Sequence, residues 1–146
     1  EQLPPFDLPT TEGGRVSSRQ VRGSKPILLI TGSLTCPMTA SSNPLVKELH
    51  SEFGDDVEFV MLHVREAHPG ERRPQPASTE EKARHARELK ERDDLPFTVA
   101  IDDPEGTYHR QLDDKPNAVW LADKDGTLIY RALFAGDEKG LRQALE

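Results

Sequence analysis

The sequence contains a single cysteine, Cys36, among 146 residues. One cysteine cannot form a disulfide within the chain or supply a metal site built from several thiolates, so we expect neither, and no bound metal or cofactor. Chains without disulfides are typical of reducing compartments, which makes a cytoplasmic location the expectation. The chain starts at Glu1 rather than at methionine, which is compatible with a removed leader or tag.

Long apolar runs and excess positive charge are also lacking. No apolar run approaches the roughly 20 residues that cross a bilayer, so a membrane partner is not expected. The net charge is −7 and the pI is about 5.3. Because an acidic surface repels phosphate, nucleic acid is not expected as a partner either. Apolar residues make up only 34% of the chain but cluster in short runs. We therefore expect one compact domain over residues 1–146.

The short apolar runs predict strands. Runs at 26–31, 57–62 and 97–101 are rich in β-branched residues and predict buried strands of a central sheet. Runs at 118–122 and 127–131 are joined by a tight turn and predict an antiparallel hairpin.

Helical patterns lie between these strands. One helix is predicted from Ser42 or Asn43 to Phe53, with Asn43 as its cap and Pro44 in its first turn. A capping box at 78–81 opens a second helix that runs to about residue 92. A short helix at 108–112 and a final helix near the carboxyl terminus complete the chain.

The order of elements defines the expected fold. Strands and helices alternate before a terminal hairpin and helix, which predicts an α/β, thioredoxin-like fold with a central mixed sheet flanked by helices. Residues 6–16, with Gly13 and Gly14 at a turn, predict an extended arm before the sheet.

Cys36 is the strongest candidate for chemistry. It lies in the connection between the first central strand and the next helix, where reactive groups gather in open α/β sheets. Backbone amides at a helix start favour a thiolate. Pro37 suits a helix start, and the Ser33 and Thr35 hydroxyls are candidates to hydrogen-bond the sulfur. We therefore expect Cys36 to be a nucleophile.

Thr39 stands three residues after Cys36, where a dithiol thioredoxin has its second cysteine. A resolving thiol must then come from outside the chain, and we expect a reductant such as glutathione or thioredoxin. The expected substrate is a small molecule or a disulfide, and the sequence does not choose among a peroxide, a disulfide and a halogenated aromatic. A homodimer is left open.

Two motifs resemble the iodothyronine deiodinases. The loop 32–37 resembles their active-site loop, with Cys36 where the family has selenocysteine, and Glu66-Ala67-His68 resembles their Glu-Ala-His motif. The resemblance implies that Cys36 is the nucleophile, that His68 donates a proton and that Glu66 orients His68. Histidine suits this role because it exchanges protons near neutral pH.

The chain departs from the deiodinases elsewhere. It has no Gly-Trp pair after His68, and the family's hormone-binding histidine and late arginine fall near Pro76 and near residues 135–136, where neither is matched. These departures predict weak or absent thyroxine binding.

Two alternatives remain open. A one-cysteine peroxiredoxin has Pro-x-x-x-Thr-x-x-Cys; here Ser33 supplies the hydroxyl, Leu29 replaces the proline, and Asn117 lies near the expected arginine. The other alternative is a redox-inert binding module that reuses the fold.

Several further residues are interpreted from their position. Pro116 precedes a predicted strand, where thioredoxin folds hold a cis-proline beside the cysteine, so Pro116 and Pro37 are expected to contact substrate. The remaining histidines are expected at the surface or at strand ends; they are His50, His63, His85 and His109. The charged stretches 80–82 and 91–94 are expected to be solvated helix faces.

Overall fold

The computed structural model describes residues 2–21, 24–64, 75, 78–112 and 117–146. Within these ranges the strands are β1 (Asp7–Pro9), β2 (Arg15–Ser17), β3 (Ile27–Gly32), β4 (Glu58–His63), β5 (Thr98–Ile101), β6 (Val119–Ala122) and β7 (Leu128–Ala132). The helices are α1 (Ser18–Val21), α2 (Pro37–Phe53), α3 (Thr79–Asp93), α4 (Thr107–Leu112) and α5 (Glu138–Leu145).

Five strands form the central sheet, in the order β5-β4-β3-β6-β7. Strands β3, β4 and β5 are parallel, whereas β6 is antiparallel to β3 and β7 is antiparallel to β6. The sheet is therefore mixed, and the prediction of an α/β, thioredoxin-like fold is confirmed. The predicted hairpin is also confirmed, and Gly126 adopts the positive φ of +87° that its turn requires.

Alternating side chains of β3 serve two separate cores. Leu28 and Ile30 face a cluster that includes residues of α2, α3 and α5. Ile27 and Leu29 face a second cluster, formed with the amino-terminal arm and α4. Side chains of a strand alternate between the two faces, so β3, which is buried along its whole length, is covered on both.

The amino-terminal arm forms a small antiparallel sheet of β1 and β2. Gly13, at φ +88°, makes the turn between them, which confirms the predicted arm and its turn. The arm packs Phe6 edge-on against Tyr108 of α4, with 5.6 Å between the ring centroids. The short helix α1 was not predicted.

Helix α2 begins earlier than its sequence pattern indicates. The predicted start at Ser42 or Asn43 is wrong, because Pro37 opens the helix and Cys36 is its N-cap. Pro44 lies inside the helix, where it removes one backbone donor; it is solvent-exposed, so the freed carbonyl can turn to water. The predicted end at Phe53 is confirmed.

Two predictions of exposed residues are also wrong. Lys82, expected on a solvated face, is 1% exposed, and its Nζ donates to the Asp103 carbonyl at 2.6 Å. His109, expected at the surface, is buried, and its backbone N–H donates to the carboxylate of Asp102 at 2.9 Å. For Lys82, the hydrogen bond from the ammonium makes burial tolerable; for His109, the bond to Asp102 fixes the backbone of α4 where the residue is buried.

No helix in the described ranges is both long enough and apolar enough to cross a membrane.

Candidate functional site

The carboxyl ends of the three parallel strands meet at one edge of the sheet. Gly32, the last residue of β3, is paired with His63, the last residue of β4, and His63 is paired with Ile101, the last residue of β5. The loop that carries Cys36 leaves β3 at this edge. The edge is where ligands bind in open α/β sheets.

Cys36 is the N-cap of α2. Its backbone is extended, with φ −81° and ψ 117°, and its carbonyl accepts the first helical hydrogen bond, from Ala40 N–H at 3.2 Å. Its own N–H donates to the Ser33 carbonyl at 3.3 Å, which closes a tight turn. Cys36 is only 2% exposed. The thiol is therefore held at the helix start but largely covered.

The electrostatics of this position favour negative charge. Helix α2 has 17 residues and no acidic residue in its first turn. An N-cap side chain lies beside the free amides of the first turn, which carry partial positive charge. Pro37 supplies no amide, which leaves those of Met38 and Thr39. The Cys36 side chain makes no capping hydrogen bond in the structure. A Cys36 thiolate would therefore gain an interaction with these amides.

Thr39 fills the position of a second cysteine. It is fully buried, and its Oγ1 accepts a hydrogen bond from Ser33 N–H at 3.2 Å. A Cβ added at Gly32 would lie 2.9 Å from the Thr39 methyl carbon, so Gly32 leaves the space that Thr39 occupies. The first turn of α2 is thus tied to the end of β3 through a hydroxyl instead of a thiol.

A buried polar network joins α2 to the two central strands. Asn117 is fully buried; its Nδ2 donates to the Thr31 carbonyl at 2.9 Å, and its Oδ1 accepts from the Ser42 hydroxyl at 3.1 Å. Ala118 N–H donates to the Thr31 hydroxyl at 2.8 Å. The sequence singled out Asn117 only by its place along the chain, because its partners lie 75 and 86 residues away.

Two side chains from other elements bind the Leu34 backbone. Leu34 N–H donates to His63 Nε2 at 3.2 Å, and Arg92 Nη1 donates to the Leu34 carbonyl at 2.8 Å. The expected position of His63 at a strand end is confirmed, but a role at the cysteine was not predicted for His63 or for Arg92. Arg92, which was predicted on a solvated helix face, also binds the backbone of the loop that carries Cys36.

The predicted site residues fall into two groups. Ser33, Thr35, Cys36 and Pro37 lie together in the loop and at the start of α2, with Pro37 exposed. Hydrogen bonds from the Ser33 and Thr35 hydroxyls to the sulfur remain a prediction. Three predicted residues lie outside the described residues; they are Glu66, His68 and Pro116.

A cavity of about 360 Å³ lies elsewhere on the molecule, between the amino-terminal arm, the end of β5 and α4. Phe6, Ile101 and Tyr108 supply part of its apolar wall, and Cys36 does not line it. Burial, and secondarily the charge of Asp102, raises the pKa of Tyr108, so its hydroxyl stays protonated and donates to the Pro4 carbonyl at 2.6 Å.

The fold and the cysteine at the start of α2 define a thioredoxin-like protein. The chain belongs to the Redoxin family, whose model matches residues 1–145. No curated protein matches it in sequence.

Solved structures with similar folds include proteins named for thiol–disulfide exchange. A protein of Chlorobium tepidum assigned as the thiol:disulfide interchange protein DsbE is 20% identical, with a TM-score of 0.78; the match covers 100% of this chain and 96% of that one. A secreted disulfide oxidoreductase of Mycobacterium tuberculosis is 17% identical, with a TM-score of 0.72 and coverage of 96% and 93%. Peroxidoxin BcpB of the same organism is 16% identical, with a TM-score of 0.71 and coverage of 99% and 92%. At these identities the likeness shows the fold alone.

The comparisons do not support the deiodinase resemblance. They give the Redoxin family for residues 1–145, which is the broader group, and nothing in them points to the deiodinases.

Proposed function

We propose that this protein is a thiol oxidoreductase that uses one nucleophilic cysteine, Cys36, and is recycled by an external thiol. The observation that carries the proposal is the position of Cys36 as the N-cap of a 17-residue helix, at the carboxyl edge of the parallel strands, in a Redoxin-family chain. Helix starts of this kind favour the thiolate, which is the reactive form. The thiol chemistry of the structurally similar proteins supports the same class of reaction.

Burial of the thiol favours a small electrophile. At 2% exposure, Cys36 offers little surface to a folded protein disulfide, whereas a peroxide needs only a narrow approach. We therefore place a peroxide first among the substrates that the sequence left open. A low-molecular-weight disulfide and a halogenated aromatic follow.

The proposed reaction with a peroxide has three steps. The Cys36 sulfur attacks one peroxide oxygen, the O–O bond breaks, and the other oxygen leaves as water or an alcohol after taking a proton. Cys36 is oxidised to a sulfenic acid, and an external thiol then condenses with it to a mixed disulfide and releases water. A second external thiol attacks the mixed disulfide, which returns the Cys36 thiol and releases the disulfide of the two reductants.

The roles of the remaining predicted residues belong to this proposal. His68 would give the proton to the leaving oxygen, with Glu66 fixing its orientation, as their sequence motif suggests. Pro37 and Pro116 would contact the substrate or the reductant. The cytoplasmic location also remains a prediction, and one of the similar structures is that of a secreted protein.

The test is peptide mass spectrometry of Cys36 after separate exposure to peroxide, oxidised glutathione and an iodinated phenol. The proposal expects a dimedone-trappable sulfenic acid with peroxide, formed faster than on free cysteine. A glutathione adduct alone would favour disulfide exchange. Transfer of iodine from the phenol to the Cys36 sulfur, with a proton taking its place on the ring and iodide released only when an added thiol reduces the S–I bond, would favour the deiodinase-like interpretation. The Cys36→Ser variant is the control.

Burial also favours a second candidate, the redox-inert binding module. A largely covered thiol is what a structural cysteine presents, since free cysteines are among the most buried residues. This reading expects Cys36 to stay unmodified with all three electrophiles while the protein remains folded.

A further inference from the structure

The loop from Ser33 to Thr35 connects β3 to Cys36. Leu34 lies at its centre, and its side chain is 3% exposed and packed in the core between the sheet and the helices. Both polar atoms of the Leu34 backbone are bound to side chains from other elements. Loops usually satisfy such groups with water or with neighbouring backbone, so two long-range side-chain partners on one residue of a short loop need a reason.

His63 binds the N–H of Leu34. It is fully buried at the end of β4, and its Nε2 accepts the Leu34 N–H at 3.2 Å. A nitrogen that accepts a hydrogen bond carries no proton, so this contact requires the neutral imidazole with its proton on Nδ1. His63 is paired with Gly32, so the strand register itself sets the imidazole at the start of the loop.

Arg92, in the last turn of α3, binds the Leu34 carbonyl. Its Nη1 donates to the Leu34 carbonyl at 2.8 Å, while Nε and Nη2 donate to the two carboxylate oxygens of Asp93 at 2.9 and 3.0 Å. Asp93 also accepts from Asn43 Nδ2 of α2 at 2.6 Å. The guanidinium therefore connects the cysteine loop to α3 and, through Asp93, to α2. Its planar fork is what allows one side chain to make these bonds together.

We infer that His63 and Arg92 are positioning residues that hold the Leu34 backbone, at its N–H and its carbonyl, and thereby keep Cys36, two residues later, at the N-cap of α2. The inference rests on the proposed function, because it concerns the reactivity of the same thiol. A loop held only by its ends would sample other arrangements, and in most of them the sulfur would leave the first-turn amides. Fixing the two peptide groups on either side of the Leu34 Cα removes that freedom before the substrate arrives.

The experiment compares paired variants at each residue. His63→Gln keeps an acceptor oxygen near Nε2, whereas His63→Leu removes it. Arg92→Lys keeps a cationic donor, Arg92→Ala removes it, and Arg84→Ala, an exposed arginine on the same helix, controls for the loss of charge. Arg92 and Arg84 lie at least partly on the surface, so these variants should fold even if His63→Leu does not. The readouts are the rate of peroxide oxidation of Cys36, amide hydrogen exchange over residues 33–36, and the free energy of unfolding.

The expected result is a loss of about five- to tenfold in the oxidation rate for His63→Leu and Arg92→Ala, the scale of one lost hydrogen bond. Exchange in the loop should rise in both, and His63→Gln should recover most of the rate. Recovery by Gln separates positioning from general destabilisation. If the wild-type thiol is oxidised and Arg92→Ala reacts as fast as Arg84→Ala, or faster, the positioning inference is overturned while the proposed function stands. If the wild-type thiol is not oxidised, the proposed function fails and the inference falls with it.

Discussion

At the scale of the residue, the chemistry of this protein depends on what surrounds one sulfur atom. Cys36 has backbone hydrogen bonds on both sides, a proline after it and a buried hydroxyl, Thr39, three residues later. Its side chain is covered but makes no capping bond. The backbone of Cys36 is therefore fixed at the helix start, whereas its sulfur is not committed to a capping bond.

The proton-donor role of His68 gives a prediction at this scale. His68→Ala should lower the rate of peroxide reduction by roughly 10²–10⁴, because the leaving oxygen would lose its positioned acid. Glu66→Gln should give a smaller loss, since it removes only the partner that orients the imidazole. Rates are measured at saturating external thiol, with His85→Ala on α3 as the control. Equal rates in His68→Ala and His85→Ala would show that His68 takes no part in the reaction.

Thr39 gives a second prediction at the residue scale. Thr39→Cys should allow Cys36 and the new thiol to form a disulfide after one oxidation, because the position is that of the second cysteine in dithiol thioredoxins. Mass spectrometry should show loss of two hydrogens and no trappable sulfenic acid. Thr39→Val is the matched control, since it also removes the hydroxyl that accepts the Ser33 amide but adds no thiol. A sulfenic acid that persists in Thr39→Cys would mean that the two side chains cannot meet.

At the scale of the element, the two long helices show where sequence patterns succeed and fail. The capping box of α3 is local: the Ser78 hydroxyl accepts from Glu81 N–H at 3.1 Å, as predicted. The start of α2 was missed because Pro44 and Asn43 resemble a start signal. Asn43 is instead bound to Asp93, a partner 50 residues away that no local pattern reveals.

The Ser78 cap predicts a stability change. Ser78→Ala should lower the free energy of unfolding by about 1 kcal/mol, because it leaves an amide in the first turn of α3 without its acceptor. Ser78→Asp keeps an acceptor at the same position and should retain most of the stability. Chemical denaturation at neutral pH measures both. A loss for Ser78→Asp equal to that of Ser78→Ala would contradict the assignment of the cap.

At the scale of the whole molecule, the topology could be predicted from the sequence, whereas the site could be predicted only in part. Alternating strands and helices predict parallel strands with a common carboxyl edge, and the pairing of Gly32 with His63 confirms it. The contacts of Asn117, His63 and Arg92 were not predicted, because each joins residues far apart in sequence. Side-chain partners of this kind depend on how elements pack, which hydrophobic periodicity does not encode.

The carboxylates predict how the folded protein responds to acid. Burial raises the pKa of Asp93, but hydrogen bonds from Arg92 and Asn43 outweigh it and leave the pKa below its usual value. A carboxyl with a lowered folded-state pKa stabilises the fold above its unfolded pKa, and this stability is lost as pH falls through the folded pKa. The free energy of unfolding should therefore decrease as the pH is lowered below about 4. This decrease should be less steep in Asp93→Asn.

The control for this measurement is Asp94→Asn. Asp94 is exposed and left-handed at φ 51°, a conformation that asparagine also tolerates. In Asp94→Asn, the free energy of unfolding should decrease with falling pH as steeply as in the wild type. The same slope in Asp93→Asn as in Asp94→Asn would show that the bonds from Arg92 and Asn43 do not hold the Asp93 carboxylate in solution.

The central claim is that a single thiol, Cys36, performs the redox step and needs a reductant from outside the chain. The most direct measurement follows peroxide consumption at the level of one turnover, with and without added glutathione. The account predicts that the wild type consumes about one equivalent and stops, that glutathione restores continuous turnover, and that Cys36→Ser consumes none. Sustained consumption without any added thiol, or consumption by Cys36→Ser at the rate of the wild type, would contradict it.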